Sequence, residues 1–294
     1  MEHLNISVII AVSDDILIKE CVDSVDEDVE IVIALNGATY EVEKIVKSLK
    51  NVRYVELPER NIGKANNLAI SAATNQRLIF MDSDCVFTPG SIRKLYFGLD
   101  DYKIAKGRVL FKHKNFETRL VAKTREVNTT TELTAFKPCL AIRKDLINDV
   151  GYIFDDDIHF REDYDLTCRV FAKKIPIKFV PEASVYHTPL PVYYDLRSSF
   201  RYGCGHRIGI KEGVLKGSLL WGGDKSITNS LLLDAKRIFY CPRYLLKIKR
   251  TKGVLVSLYS IIWMASFTLG YYCQEMFKVF KVEAKKLYRP CKNV

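Results

Sequence analysis

Short β-branched and aliphatic runs, each closed by turn residues and followed by a stretch of helical period, recur from the start of the chain to about Asp84. Residues 6–12 read as a buried strand, 16–25 as a helix, 29–35 as a strand and 41–49 as a helix. A third strand is expected over 52–57, a helix over 64–73, and a fourth strand over 77–81 that runs into acidic residues. Strands alternating with helices of about this length require right-handed βαβ crossovers. That gives a mostly parallel central sheet flanked by helices, with ligands at its carboxyl edge.

Beyond residue 100 the alternation loosens. A Lys/Thr-rich stretch over 112–134 is expected to pack over the site as loop and helix, with a short helix near Ile142. An acidic segment over 155–165 leads into a helix ending at Ala172, then strands over 177–180 and 184–187. From Tyr193 onward the chain reads as helical and basic, and neither an internal repeat nor a low-complexity linker interrupts it.

Composition narrows this picture. With 294 residues and 48% apolar content the chain can bury a sizeable core, so global disorder is excluded. A net charge of +10 calls for an anionic partner without choosing among nucleic acid, nucleotide phosphates and an acidic membrane face. The eight cysteines form no C-x-x-C pair and no Cys/His spacing that suits zinc, which suggests reduced thiols in a cytosolic setting. The first residues show no secretory signal pattern, so the expected location is the cytoplasm.

Four segments carry candidate chemistry. Asp82-Ser83-Asp84 follows an apolar strand and can aim two carboxylates at one hard cation, or simply shape a turn. Glu162-Asp163-Tyr164-Asp165 opens a helix, where free N–H groups hold a carboxylate ionised as a general base requires; capping with an Asp165/Arg169 pair is the plainer reading. Asn61-Ile62-Gly63-Lys64 enters a helix whose N-terminal amides can face an anion. His187 ends an apolar run and could complete a metal's coordination, or be structural.

In order and spacing these segments resemble family 2 glycosyltransferases from about Ile6 to His187. The marks are Val8-Ile9-Ile10, Asn36-Gly37-Ala38-Thr39, Asn61 to Asn67, the Asp82-Ser83-Asp84 "DXD" element, Ala141-Ile142-Arg143, Gly151 to Asp155, and Glu162-Asp163-Tyr164-Asp165-Leu166 with Arg169. The resemblance implies a GT-A-type nucleotide-diphospho-sugar transferase fold over 1–190, with a nucleotide-sugar half (1–100) and an acceptor half (101–190). A basic helical extension would occupy 191–294. It implies Asp163 as base with Glu162 beside it at the acceptor. Asp84, Asp82 and His187 would be ligands of Mn²⁺ or Mg²⁺, and Ser13, Asp14, Asn36, Lys64, Asp82 and Ser83 would be donor contacts. Arg201 and Arg207 would lie in a basic segment able to cover the diphosphate. The chain departs from the family pattern at Ala11, where Pro is usual, at Asn36, where Asp is frequent, and at Cys139, where a glycine is common.

The implied reaction is inverting transfer of a sugar from a nucleotide diphosphate, most simply a UDP-sugar, to a hydroxyl of a glycan or lipid-linked acceptor. A sugar nucleotidyltransferase is the rival enzyme, but Ala11-Val12-Ser13-Asp14-Asp15 lacks its glycine-rich loop. A non-catalytic nucleic-acid or membrane-surface binder is the rival from another class. Positive charge is enriched after Arg197 while the candidate site is acidic, so nucleic acid is not an expected partner. The apolar run over 254–273 has basic residues on both flanks. A span would carry one basic flank across the bilayer, which favours a helix lying in the plane of the cytoplasmic membrane face, with an ordinary core helix as the plain alternative.

Overall fold

The computed structural model describes residues 3–128, 134–158, 160–215, 226, 228–232, 246, 249–250 and 252–279. It divides into one unit made of Met1–Lys112, Thr130–Asp156 and Glu162–Thr188, and a second made of His113–Thr129, Asp157–Arg161 and Pro189–Val294.

In the first unit the period of two decides the layers. Ile6, Val8 and Ile10 of β1 (Ile6–Val12) enter one core with Ile31, Ile33 and Leu35, while Ile9 enters another with Val32, Ala34, Leu78 and Phe80. Strands buried on both faces are what a parallel sheet under two helix layers produces. The remaining strands are β2 (Glu30–Asn36), β3 (Arg53–Leu57), β4 (Arg77–Asp82), β5 (Cys85–Phe87), β6 (Ile104–Phe111), β7 (Leu140–Arg143) and β8 (Lys178–His187). Their order is β3-β2-β1-β4-β7-β6-β8-β5. The half from β3 to β4 is parallel, as is β6 with β8, while β7 runs antiparallel to β4 and β6, and β5 antiparallel to β8.

Helices α1 (Ile18–Asp23), α2 (Tyr40–Ser48), α3 (Ile62–Ala72) and α4 (Ser91–Gly98) connect the strands. Thr39 caps α2 and Asn61 caps α3, each accepting a backbone N–H three residues on. Gly63 is required where it stands, because a Cβ there would sit 2.4 Å from the Asp155 carbonyl oxygen. The helix expected near Ile142 is a strand instead, with Leu140, Ala141 and Ile142 opposite Phe80, Ile79 and Leu78. Three apolar residues closed by Arg143 carry too little period to separate the two, and helical geometry begins only at Lys144.

The second unit holds α5 (Phe116–Asn128), α8 (Val192–Lys211) and α9 (Val254–Phe277); the short α6 (Ile147–Val150) and α7 (Glu162–Ala172) belong to the first. Helices α8 and α9 run parallel in constant register. Asp195 bonds the Tyr259 hydroxyl, Ser199 bonds the Trp263 carbonyl, and Arg207 bonds the Tyr271 hydroxyl, at 2.7–2.8 Å. At their crossing the backbones touch: a Cβ on Gly203 would lie 1.9 Å from the Phe267 carbonyl oxygen, and one on Gly270 2.0 Å from that of Phe200. Such contact needs small residues on both helices. Arg125 of α5 pairs with the buried Asp195.

Candidate active site

The carboxyl ends of β1, β2 and β4 and the β5–β8 pair set the site. Ser83 Oγ, in the turn after β4, donates to Asp15 Oδ2 at 3.0 Å, and Asp15 Oδ1 in turn accepts the Leu17 N–H. Burial, and after it the charge of Asp84, push the Asp15 carboxyl above the usual carboxylate range. Pairing of Cys85 with His187 across β5 and β8 brings the imidazole to Asp84, with His187 Nε2 3.3 Å from Asp84 Oδ2. Asp82 is pushed up by burial, opposed by Lys137 and His187 and reinforced by Asp84 and Glu162. Crowded carboxylates of this kind accept a cation readily.

Lys137 forms the opposite wall. Its ammonium lies 2.9 Å from Glu162 Oε1, with both side chains buried. Burial alone would lower its pKa, but Glu162, Asp82 and Asp163 outweigh that and hold it above the usual lysine range. Lys106, fully buried, donates to the Pro138 carbonyl at 2.5 Å, and burial drives its pKa down against the pull of Cys139, Asp82 and Asp163. Asp82 and Asp163 therefore act on both lysine ammoniums, and Glu162 on that of Lys137. Asp163 is partly exposed in the first turn of α7, where the Thr167 hydroxyl donates to its carbonyl. Its neighbour Asp165 points inward to Arg169, which also bonds the Val150 and Ile153 carbonyls. Asp165 thus anchors the helix that presents Asp163.

The other expected donor contacts lie at the β1 and β2 ends. Ser13 Oγ donates to the Asn36 carbonyl at 2.7 Å, and the buried Asn36 side chain accepts the Asn61 N–H at 2.6 Å. Lys64 pairs with Glu59, and the exposed Asp14 with Arg60. Arg201 and Arg207 lie in the second unit. Arg201 faces the Phe160 ring, and Arg207, 1% exposed, binds Glu275 and Tyr271. Sequence reasoning chose Asp14 over Asp15 and passed over Lys137 and Lys106. Nothing local distinguishes those lysines from surface ones, since Lys106 is enclosed by strands paired far along the chain and Lys137 meets its partner at Glu162.

The donor set suits a divalent cation: Asp84 and His187 are in contact, Cys85 lies with them inside 4.8 Å, and Asp82 is close by.

Comparison with known proteins gives a consistent result. The profile described as glycosyl transferase family 2 matches residues 7–149. An uncharacterized glycosyltransferase of Bacillus subtilis, YwdF, is 30% identical over 151 residues, which are 46% of this chain and 56% of that protein. The shared stretch thus spans little more than half of the relative's length. Among solved structures, the mannosyltransferase PcManGT of Pyrobaculum calidifontis, in complex with GDP-Man and Mn²⁺, superposes with TM-score 0.59 at 14% identity, over 95% of this chain and 89% of that one. S. aureus TarS 1-349 gives 0.50 at 14% identity, over 92% and 91%. The fold is that of the GT-A nucleotide-sugar transferases.

Proposed function

From the match of residues 7–149 to the glycosyl transferase family 2 profile, we propose that this chain transfers a sugar, with inversion, from a nucleotide diphosphate sugar to an acceptor hydroxyl. The observation that carries the reading is the convergence of Asp82, Asp84 and His187 with Glu162 and Asp163 at one sheet edge, on a fold shared with PcManGT and TarS. Asp84 and His187, with Asp82, would hold Mn²⁺ or Mg²⁺, and the PcManGT complex contains Mn²⁺. A bound cation of this kind supplies charge neutralisation for a departing diphosphate. Asp163 takes the proton of the acceptor hydroxyl, and Glu162, fixed by Lys137, orients that acceptor. Ser13, Asn36, Lys64 and Ser83 line the donor side, and Asp15 joins them through its bond to Ser83.

The test is release of nucleoside diphosphate from a panel of UDP- and GDP-sugars with Mn²⁺, on the wild-type chain and on Asp84→Asn. Turnover with one donor that disappears on chelation, and metal-dependent donor binding lost in Asp84→Asn, are the expected results. Donor binding equally metal-dependent in the variant would remove Asp84 from the cation site.

The second unit supports attachment to the cytoplasmic membrane face, which suits an acceptor delivered on a lipid. One stripe of α9, carrying Tyr259, Trp263, Phe267 and Tyr271, is buried within the unit, while Leu255, Leu258, Ile262 and Leu269 form an exposed stripe of the same period, each 52–58% accessible. Lys249, Arg250, Lys252 and Lys278 flank it. The helix is long and apolar enough to cross a bilayer. Crossing would, however, draw in the α8 residues Asp195 and Arg207, which bond Tyr259 and Tyr271 along it, a cost of roughly 2.5–3.5 kcal/mol for each charge near the bilayer centre. An in-plane helix avoids that. Full-length protein should sediment with membranes and be extracted by alkaline carbonate, and Leu258→Glu with Ile262→Glu should make it soluble. Carbonate resistance would indicate a span.

A further inference from the structure

His187 Nδ1 lies 3.0 Å from the Thr188 carbonyl oxygen. A carbonyl only accepts, so Nδ1 carries the proton of that bond. The other nitrogen, Nε2, therefore turns its lone pair toward Asp84 Oδ2, 3.3 Å away. Two acceptors at this separation need a cation between them, whether a proton or a metal ion, and a carbonyl that fixes the tautomer is the usual support behind a metal-binding histidine.

A third ligand atom stands beside this pair. Cys85 Sγ is 3.5 Å from Asp84 Oδ1, and the three ligand atoms all lie within 4.8 Å of one another. Bonds of about 2.0–2.3 Å at tetrahedral angles set neighbouring ligand atoms about 3.3–3.6 Å apart, a spacing that His187 Nε2 shows to Asp84 Oδ2 and Cys85 Sγ to Asp84 Oδ1, the two oxygens of one carboxylate. Manganese and magnesium favour oxygen ligands, whereas a Cys/His/Asp set favours zinc and cobalt, which also stand above manganese in general affinity. Cys85 is fully buried, and Asp84 and His187 form the accessible side.

We propose that Asp84, Cys85 and His187 form a site for a borderline-soft divalent ion, Zn²⁺ foremost, with Cys85 bound as thiolate, and that Zn²⁺ held there displaces the Mn²⁺ or Mg²⁺ of sugar transfer. The displacement rests on the transferase reading; the zinc site stands without it. Binding forms a metal–sulfur bond and breaks the S–H bond, and the ion replaces the proton between His187 Nε2 and Asp84 Oδ2; the thiol proton and that proton pass to the buffer, with no change of oxidation state.

The experiment titrates the full chain with Co²⁺, without nucleotide. The expected result is a sulfur-to-cobalt charge-transfer band in the near ultraviolet, release of protons on binding, and bleaching of the band by equimolar Zn²⁺. Cys85→Ser should lose the band and release one proton fewer per ion, while Cys139→Ser, altered at another buried thiol, matches the wild type in both. Should Cys85→Ser fail to fold, Asp84→Asn serves in its place and should bind Co²⁺ at least tenfold more weakly. A wild-type chain without the band, a band that survives Cys85→Ser, or unchanged affinity in Asp84→Asn overturns the site. Absence of turnover with every nucleotide sugar would sink the transferase reading and leave the cobalt result standing.

Discussion

Asp163→Asn should lower turnover by about a thousandfold, within the 10²–10⁴ that a positioned base contributes, while donor affinity stays within a few-fold. The substitution keeps size and removes basicity. The residue stands in the first turn of α7, where the helix dipole favours its ionised form, and Asp165 locks that helix through Arg169. The proposed donor contacts lie elsewhere, on the β1, β2 and β4 ends, which is why binding should survive. Steady-state kinetics with calorimetric donor binding measure both quantities. Activity within a few-fold of wild type would place the base on another residue.

Lys137→Met should be the most damaging substitution for stability. It strips Glu162 of its partner inside the protein, and breaking a buried pair by removing one member costs about 3–5 kcal/mol. At about 2–4 °C per kcal/mol the unfolding midpoint should fall by roughly 6–20 °C. Adding Glu162→Gln removes the stranded charge and should recover much of the loss, so the double-mutant cycle shows strong coupling. Additive effects of the two substitutions in calorimetric melting would show that the pair contributes little.

The parallel half of the sheet was legible because each strand is a buried β-branched run. β1 lies where the alternation puts it, and β2, β3 and β4 within a residue of their expected ends. The second half was not. β5 and β6 were not anticipated, β7 was read as a helix, and the two strands expected before His187 are one, β8. These strands are short or carry polar residues such as Lys106 and Arg108, and their pairing partners lie far along the chain. The site divides in the same way. Asp82, Asp84 and Asp163 announce themselves as acidic clusters at element ends, but Cys85 meets His187 only through the β5–β8 ladder. The absence of a zinc-like spacing in the sequence says nothing about such a pair.

The parallel course of α8 and α9 has a consequence in time. Partners along the two helices are 64 residues apart, as between Asp195 and Tyr259, so no local hairpin can join them. At a synthesis rate of roughly 5–20 residues per second, each α8 position waits about 3–13 s for its partner to be made. The sheet needs no such delay, since β8 ends at His187 before α8 begins. A nascent chain thus passes through a stage with the first unit's strands complete and the glycine face of α8 bare. During those seconds α8 is open to chaperones, and later the emerging α9 must choose between α8 and the nearest lipid.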